Sequence, residues 1–307
     1  MRILFMGTPE FAVPSLRILL DHSYEVAGVV TAPDKPRGRG QHVSSTPIKE
    51  FALQHHLTIL QPGNLKDLEF VSDIQQFAPD LVVVVAFRIL PREVYTIPKL
   101  GTFNLHASLL PKYRGAAPIN WAIMNGEKES GVSTFFLQDK VDTGSILLQA
   151  RAKIGEDETA GELHDTLSEV GAEVVLQTVR LIELGKAQPR LQNDALACAA
   201  PKIFKNDCRI DWKKSSQQVH NFIRGLSPSP ASWTMHNDKT LKLYSTKISE
   251  AQSQAAGIVL QRTNDTLLVG TGNGTVSILE IQQEGKRRLG IEEFLRGYKI
   301  EAGEVFE

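Results

Sequence analysis

Apolar positions along the chain fall into short blocks, and their spacing alternates between two periods. Residues 2–6 form an apolar run that ends at Gly7-Thr8-Pro9, and from Phe11 to Leu20 the apolar spacing becomes helical. Residues 25–31 predict a second strand, and the Pro-, Gly- and Arg-rich stretch Pro33 to Ser45 predicts a long loop. Thr46 followed by Pro47 marks a helix start, because proline suits the first helical position. Residues 81–86, Leu-Val-Val-Val-Val-Ala, are apolar on both faces. Such a strand belongs in the middle of a parallel sheet with helices on each side. Further strands are expected at 101–106, 132–137 and 145–149, with a short helix from Pro118 to Asn125 that stops at Gly126. Thr159-Ala-Gly-Glu162 has the form of a capping box and opens a helix running to about Gly185. This order predicts an α/β fold with a parallel sheet.

The pattern changes after a connecting segment. Arg209-Ile-Asp-Trp212 predicts a short strand, and Ser215 or Ser216 caps a helix that ends near Gly225. Short strands follow at 231–235, 240–247, 257–261, 266–270 and 274–281, with a late helix from Ile291 to Arg296. Five short strands with two helices suggest a small β-barrel of the oligonucleotide-binding (OB) type. The expected division is an α/β domain over 1–189, a linker over 190–204 and an OB-like domain over 205–307.

At 307 residues the chain suits two domains, each able to bury a core given 42% hydrophobic residues. No stretch approaches the ~20 consecutive apolar residues that a bilayer span requires, so no membrane partner is expected. The first apolar run reads as a buried strand and not as a signal peptide, which implies a cytoplasmic protein. Cys198 and Cys208 are expected to remain thiols there. The net charge of −1 gives no global sign of a nucleic-acid partner. Locally, though, residues 33–49 set Lys35, Arg37, Arg39 and Lys49 against only Asp34, and residues 201–214 set Lys202, Lys205, Arg209, Lys213 and Lys214 against Asp207 and Asp211. A third basic cluster is formed by Lys286, Arg287 and Arg288. Each is either solvated surface or a small phosphate-binding patch.

Two places carry candidate chemistry. Asn104 and His106 stand two apart on a predicted strand, so their side chains share one face at its carboxyl end, where open α/β sheets bind ligands. They are either a hydrogen-bonded core pair or two groups presented to a reactant. Asp142, in Gln138-Asp-Lys-Val-Asp-Thr-Gly144, is either a turn residue or the partner that orients His106. The first turn lacks a G-x-G-x-x-G pattern, and Pro9 and Glu10 would crowd and repel a pyrophosphate, which argues against a dinucleotide.

Residues 103–118, Phe-Asn-Leu-His-Ala-Ser-Leu-Leu-Pro-Lys-Tyr-Arg-Gly-Ala-Ala-Pro, closely resemble the folate-binding and catalytic segment of the formyltransferase family that uses 10-formyltetrahydrofolate. Asp142-Thr-Gly144 resembles that family's catalytic aspartate motif, and the likeness spans nearly the whole chain, including Gly7-Thr-Pro-Glu-Phe11, Pro33–Gly40 and Ile223–Pro230. The resemblance implies a Rossmann-like formyltransferase domain followed by an OB-like tRNA-binding domain. It also implies transfer of a formyl group to the amino group of methionine on initiator methionyl-tRNA, for translation initiation. By the same resemblance Asn104, His106 and Asp142 are catalytic, and Ser108, Leu109, Leu110 and Pro111 line the folate site. Arg37 and Arg39 would meet the tRNA acceptor end, with Lys202 and Lys205 on the path between domains. The co-substrate is 10-formyltetrahydrofolate; no metal is expected, because its formyl group is already activated, and the enzyme is expected to be a monomer. One departure is visible: the family's Ala-Tyr-Gly-x-Ile-Leu-Pro is shortened by one residue to Ala86-Phe-Arg-Ile-Leu-Pro91, so Phe87 and Arg88 stay outside the expected site.

Overall fold

The computed structural model describes residues 1–37, 42–253 and 255–307. They form two compact units, one of Met1–Gly115, Ser130–Ala152 and His164–Ala199, the other of Ala116–Glu129, Lys153–Leu163 and Ala200–Glu307. Residues 116–129 and 153–163, which precede the expected linker, therefore group with the second unit.

In chain order the elements begin with β1 (Arg2–Gly7), α1 (Val13–Asp21) and β2 (Glu25–Val30). A two-stranded hairpin follows, β3 (Lys35–Arg37) and β4 (His42–Ser44), paired antiparallel. The expected loop at 33–45 thus contains paired strands. Pairing of this kind depends on the opposite strand, which a scan for apolar periodicity does not register. Then come α2 (Pro47–Gln54), β5 (Ile59–Leu60), α3 (Leu68–Phe77), β6 (Leu81–Val85), α4 (Arg92–Tyr95) and β7 (Thr102–His106). Of these, β5, α3 and α4 are added by the structure to the predicted elements. After α5 (Pro118–Met124) in the second unit, β8 (Glu129–Phe136), β9 (Ile146–Lys153) and α6 (Ala160–Glu183) complete the sheet and its cover.

The sheet order is β5-β2-β1-β6-β7-β8-β9, parallel through β7 and antiparallel between β7 and β8. Strand β6 is central, as its two apolar faces predict, and none of its five residues is more than 4% exposed. On one face Leu4, Met6, Val82 and Val84 pack with Phe70 and Ile74 of α3 and Val94 of α4. On the other, α6 comes close to β7: a Cβ on Gly171 would lie 2.7 Å from a Leu105 methyl, so a larger residue there would push that side chain aside. The predicted caps form. Thr46 Oγ1 accepts from Lys49 N at 3.1 Å, and Glu162 accepts from both Thr159 N and Thr159 Oγ1 at 2.8 Å.

The second unit holds α7 (Ser216–Gly225), β10 (Ser232–His236), β11 (Lys239–Ser249), β12 (Val259–Arg262), β13 (Leu267–Gly270), β14 (Thr275–Gln283), β15 (Leu289–Gly290) and α8 (Ile291–Gly297). Its strands pair antiparallel in the order β10-β11-β14-β13-β12, with β15 added beside β14. Residues 209–212 do not form the expected strand. A single bridge from Arg209 to Trp233 replaces it, and Ile210 and Trp212 instead send their side chains into the core beside Val219, Ile223 and Phe306. Ser215 caps α7 reciprocally with Gln218.

Candidate active site

Strand β7 carries Asn104 and His106 to the carboxyl end of the parallel sheet. Asn104 is paired in register with Val84 of β6 and Phe135 of β8, so rigid neighbours fix its position on both sides. It is half-buried, and its side chain forms no hydrogen bond to any described residue. His106, the last residue of the strand, is 7% exposed and donates from Nε2 to the Tyr113 carbonyl at 2.8 Å. A carbonyl can only accept, so Nε2 carries a proton and Nδ1 is the ring nitrogen without a hydrogen-bond partner among the described residues.

Nδ1 lies 3.8 Å from Oδ2 of Asp142, 36 residues further along the chain. That separation is ion-pair distance and too long for a hydrogen bond. The same Oδ2 accepts from the Gly115 amide at 2.8 Å. The loop after His106 therefore contributes twice: Tyr113 fixes the imidazole and Gly115 fixes the carboxylate that faces it. Asp142 has φ +55°, a left-handed conformation uncommon for a residue with a side chain. Gly144 is required two residues on, because a Cβ there would come within 1.6 Å of the Phe136 carbonyl oxygen. The structure thus brings His106 and Asp142 together, with the half-buried Asn104 two residues before His106 on the same strand.

The segment Ser108–Pro111 is fixed by β8 and β9. Ser133 Oγ donates to the Ser108 carbonyl at 2.6 Å and accepts from Leu110 N at 3.0 Å, and Gln149 Nε2 donates to the Leu110 carbonyl at 3.0 Å. Ser108 Oγ donates inward to the Lys112 carbonyl at 2.7 Å, and Leu110 packs with Phe135 and Ile146. Both side chains are used in holding the loop, while Leu109 and Pro111 are half-buried. In the shortened segment, Arg88 donates to the carbonyls of Pro62 and Gly63 at 2.7 and 3.0 Å, and Phe87 packs against the core beneath α3 and α4. A cleft of about 450 Å³ elsewhere in this unit, lined by Glu10, Arg17, Glu50, Phe51 and His164, contains none of these residues. With Asp165 and Glu169 also on its wall, its carboxylates outnumber its cations, which does not suit an anionic co-substrate.

The expected basic residues are spread more widely. Arg37 lies on β3, and Arg39 lies outside the described residues. In the second unit Lys202 is exposed with its Nζ 5.4 Å above the Phe204 ring. Lys205 is exposed as well, and its carbonyl accepts from Trp233 Nε1 at 2.8 Å. The structure adds two groups that the sequence reading did not single out, the Tyr113 carbonyl and the Gly115 amide. Both act through the main chain, so residue identity hides them. The one available signal is Gly115 itself, whose φ of +126° suits glycine.

Known proteins place this chain in a family. Along its whole length the chain is 47% identical over 310 residues to a protein of Caldanaerobacter subterraneus subsp. tengcongensis named methionyl-tRNA formyltransferase, covering 100% of both. It is 44% identical over 307 residues to a protein of the same name from Clostridioides difficile, covering 99% of each. Among solved structures, HypX from Aquifex aeolicus in complex with tetrahydrofolic acid shares the fold with a TM-score of 0.67 at 20% identity. That match covers 99% of this chain and spans half of HypX. The formyl transferase model matches residues 1–179 and the formyl transferase C-terminal domain model residues 202–299, and the chain belongs to the formyl transferase family.

Proposed function

We propose that this chain transfers the formyl group of 10-formyltetrahydrofolate to the α-amino group of methionine on initiator methionyl-tRNA. The observation that carries the reading is the convergence of His106 and Asp142 at 3.8 Å beside the unpaired amide of Asn104. The names of full-length relatives sharing 44–47% of its residues support the acceptor.

The chemistry follows from what each group can donate or accept. The amine attacks the formyl carbon; a C–N bond forms and the carbonyl oxygen becomes an oxyanion. Asn104 Nδ2–H is a neutral donor for that oxygen, and His106 is a charged one while Nδ1 is protonated. Preorganised donors at a developing oxyanion are worth roughly 10²–10³ in rate each. Asp142 offsets the charge on His106 and, through a bridging water, takes the proton that the amine must lose. The C–N bond to the folate nitrogen then breaks, and that nitrogen receives the proton.

In this reading residues 1–189 are catalytic, 190–204 connect, and 205–307 hold tRNA. Leu109, Pro111 and the main chain of Ser108 and Leu110 line the folate site. Arg37 and Arg39 meet the acceptor end, and Lys202 and Lys205 contact backbone phosphates. The enzyme acts in the cytoplasm as a monomer. Incubation with 10-formyltetrahydrofolate and charged initiator tRNA tests it directly: formylmethionine on the tRNA is expected. Formylation of a small amine with none on the tRNA would overturn the acceptor, and RNA binding without turnover would overturn the activity.

A further inference from the structure

Residues 190–199 in the first unit run across both loops of the active site. Arg190 and Ile146 exchange two main-chain hydrogen bonds of 2.8 Å. Further along, Tyr113 N donates to Cys198 Sγ at 3.2 Å and Arg114 N to the Cys198 carbonyl at 2.9 Å. Between these anchors stands Gln192. Its Nε2 donates both protons, to the carbonyls of Asp142 at 2.9 Å and Gly144 at 2.8 Å. Its Oε1 accepts from two nitrogens of one guanidinium, Arg114 Nε at 3.1 Å and Arg114 Nη2 at 2.7 Å. Arg114 Nη2 also donates to Asp194 at 2.7 Å, which sets the plane of the guanidinium.

We propose that Gln192 is a positioning residue for formyl transfer, locking the turn that presents Asp142 to His106. An uncharged amide satisfies both sides at once. Its NH₂ suits a pair of carbonyls and its oxygen suits an arginine fork, a combination that only asparagine shares, on a stem one methylene shorter. The two loops it joins are those whose main chains fix His106 and Asp142. Asp142 needs such support, because its left-handed backbone is disfavoured without surrounding contacts. The inference rests on Asp142 acting in the transfer.

Two variants test it. Gln192→Glu keeps the acceptor for Arg114 but turns a carboxylate oxygen toward two carbonyls, and Gln192→Met keeps the volume without either function. Both are expected to lower kcat by about 10- to 100-fold, with KM for charged tRNA within about two-fold of the parent. The Gly115 amide proton, which reports the 2.8 Å bond to Asp142 Oδ2, is expected to move upfield in the ¹H–¹⁵N spectrum of each variant. An unmoved Gly115 resonance would overturn the clamp. A shifted resonance with unchanged kcat would instead overturn the role of Asp142. Loss of cooperative unfolding in both variants would make Gln192 a stability residue and also defeat the proposal.

Discussion

His106 and His220 invite comparison, because each is buried and each faces an aspartate within its own unit. His106 is 7% exposed with Asp142 at 3.8 Å, and His220 is 2% exposed with Asp157 at 3.3 Å. The difference lies in their ring nitrogens. Both nitrogens of His220 are taken, Nδ1 by Thr246 Oγ1 at 3.1 Å and Nε2 by the Glu156 carbonyl at 3.3 Å. Beside it Arg224 donates to the carbonyls of Gly155 and Glu158 at 3.2 and 2.8 Å, so the pair ties the segment 153–163 to α7. His106 has one nitrogen fixed and one open, next to an unpaired amide. Burial and an acidic neighbour therefore do not tell the two histidines apart; an unfilled ring nitrogen does.

That contrast is sharpest in the variants with the largest expected effects. His106→Ala is expected to lower kcat by roughly 10²–10⁴-fold while tRNA affinity, measured by filter binding, stays near the parent value. A matching loss of affinity would show that the residue holds substrate or structure instead. Asn104→Ala should lower kcat by roughly 10²–10³-fold, and thermal unfolding should barely move, because no described group loses a partner. An Asn104 variant that melts far below the parent would make the residue a core amide.

His220→Gln should do the reverse: kcat/KM unchanged, and stability lower by about 1–3 kcal/mol as buried partners are left unpaired. Burial, the largest cause, pushes the His220 pKa below the ordinary histidine value, with the Arg224 charge adding to it. The native state thus keeps this ring neutral while the unfolded chain protonates near pH 6.5. The unfolded state binds the extra proton, so the stability His220 contributes is present above about pH 6.5 and falls as pH drops below it. Unfolding midpoints measured from pH 8 to 5 should show this loss in the parent and a flatter profile in His220→Gln; identical profiles would rule the residue out as its source.

The smallest effects belong to the two cations assigned to tRNA. Arg39→Ala and Lys205→Ala should each weaken tRNA binding and lower the slope of log K against log salt by about one, with folate affinity unchanged. A fall in folate affinity for Arg39→Ala would move the loop to the other substrate.

Much of the scaffold was legible because it is local. The five apolar residues of β6 predict a central parallel strand, and Thr46, Thr159 with Glu162, and Ser215 start the helices they predict. The failures are equally physical. The hairpin β3–β4 exists by cross-strand pairing, which leaves little trace in apolar spacing. Residues 209–212 carry strand-forming side chains but find a core instead of a pairing edge. Gln192 lies in a stretch that reads as a connection, since its partners are 48 to 78 residues away.

The sequence by itself determined the alternation that puts Asn104 and His106 on one face, because a strand's period of two fixes the direction of its side chains. It also set the caps and the glycines on which the turns depend. Only the tertiary structure decided that Asp142 faces His106 and that Tyr113, Gly115 and Gln192 fix them. Those contacts join segments that share no periodicity, and they exist only once the sheet has ordered its strands and brought the loops at its carboxyl end together.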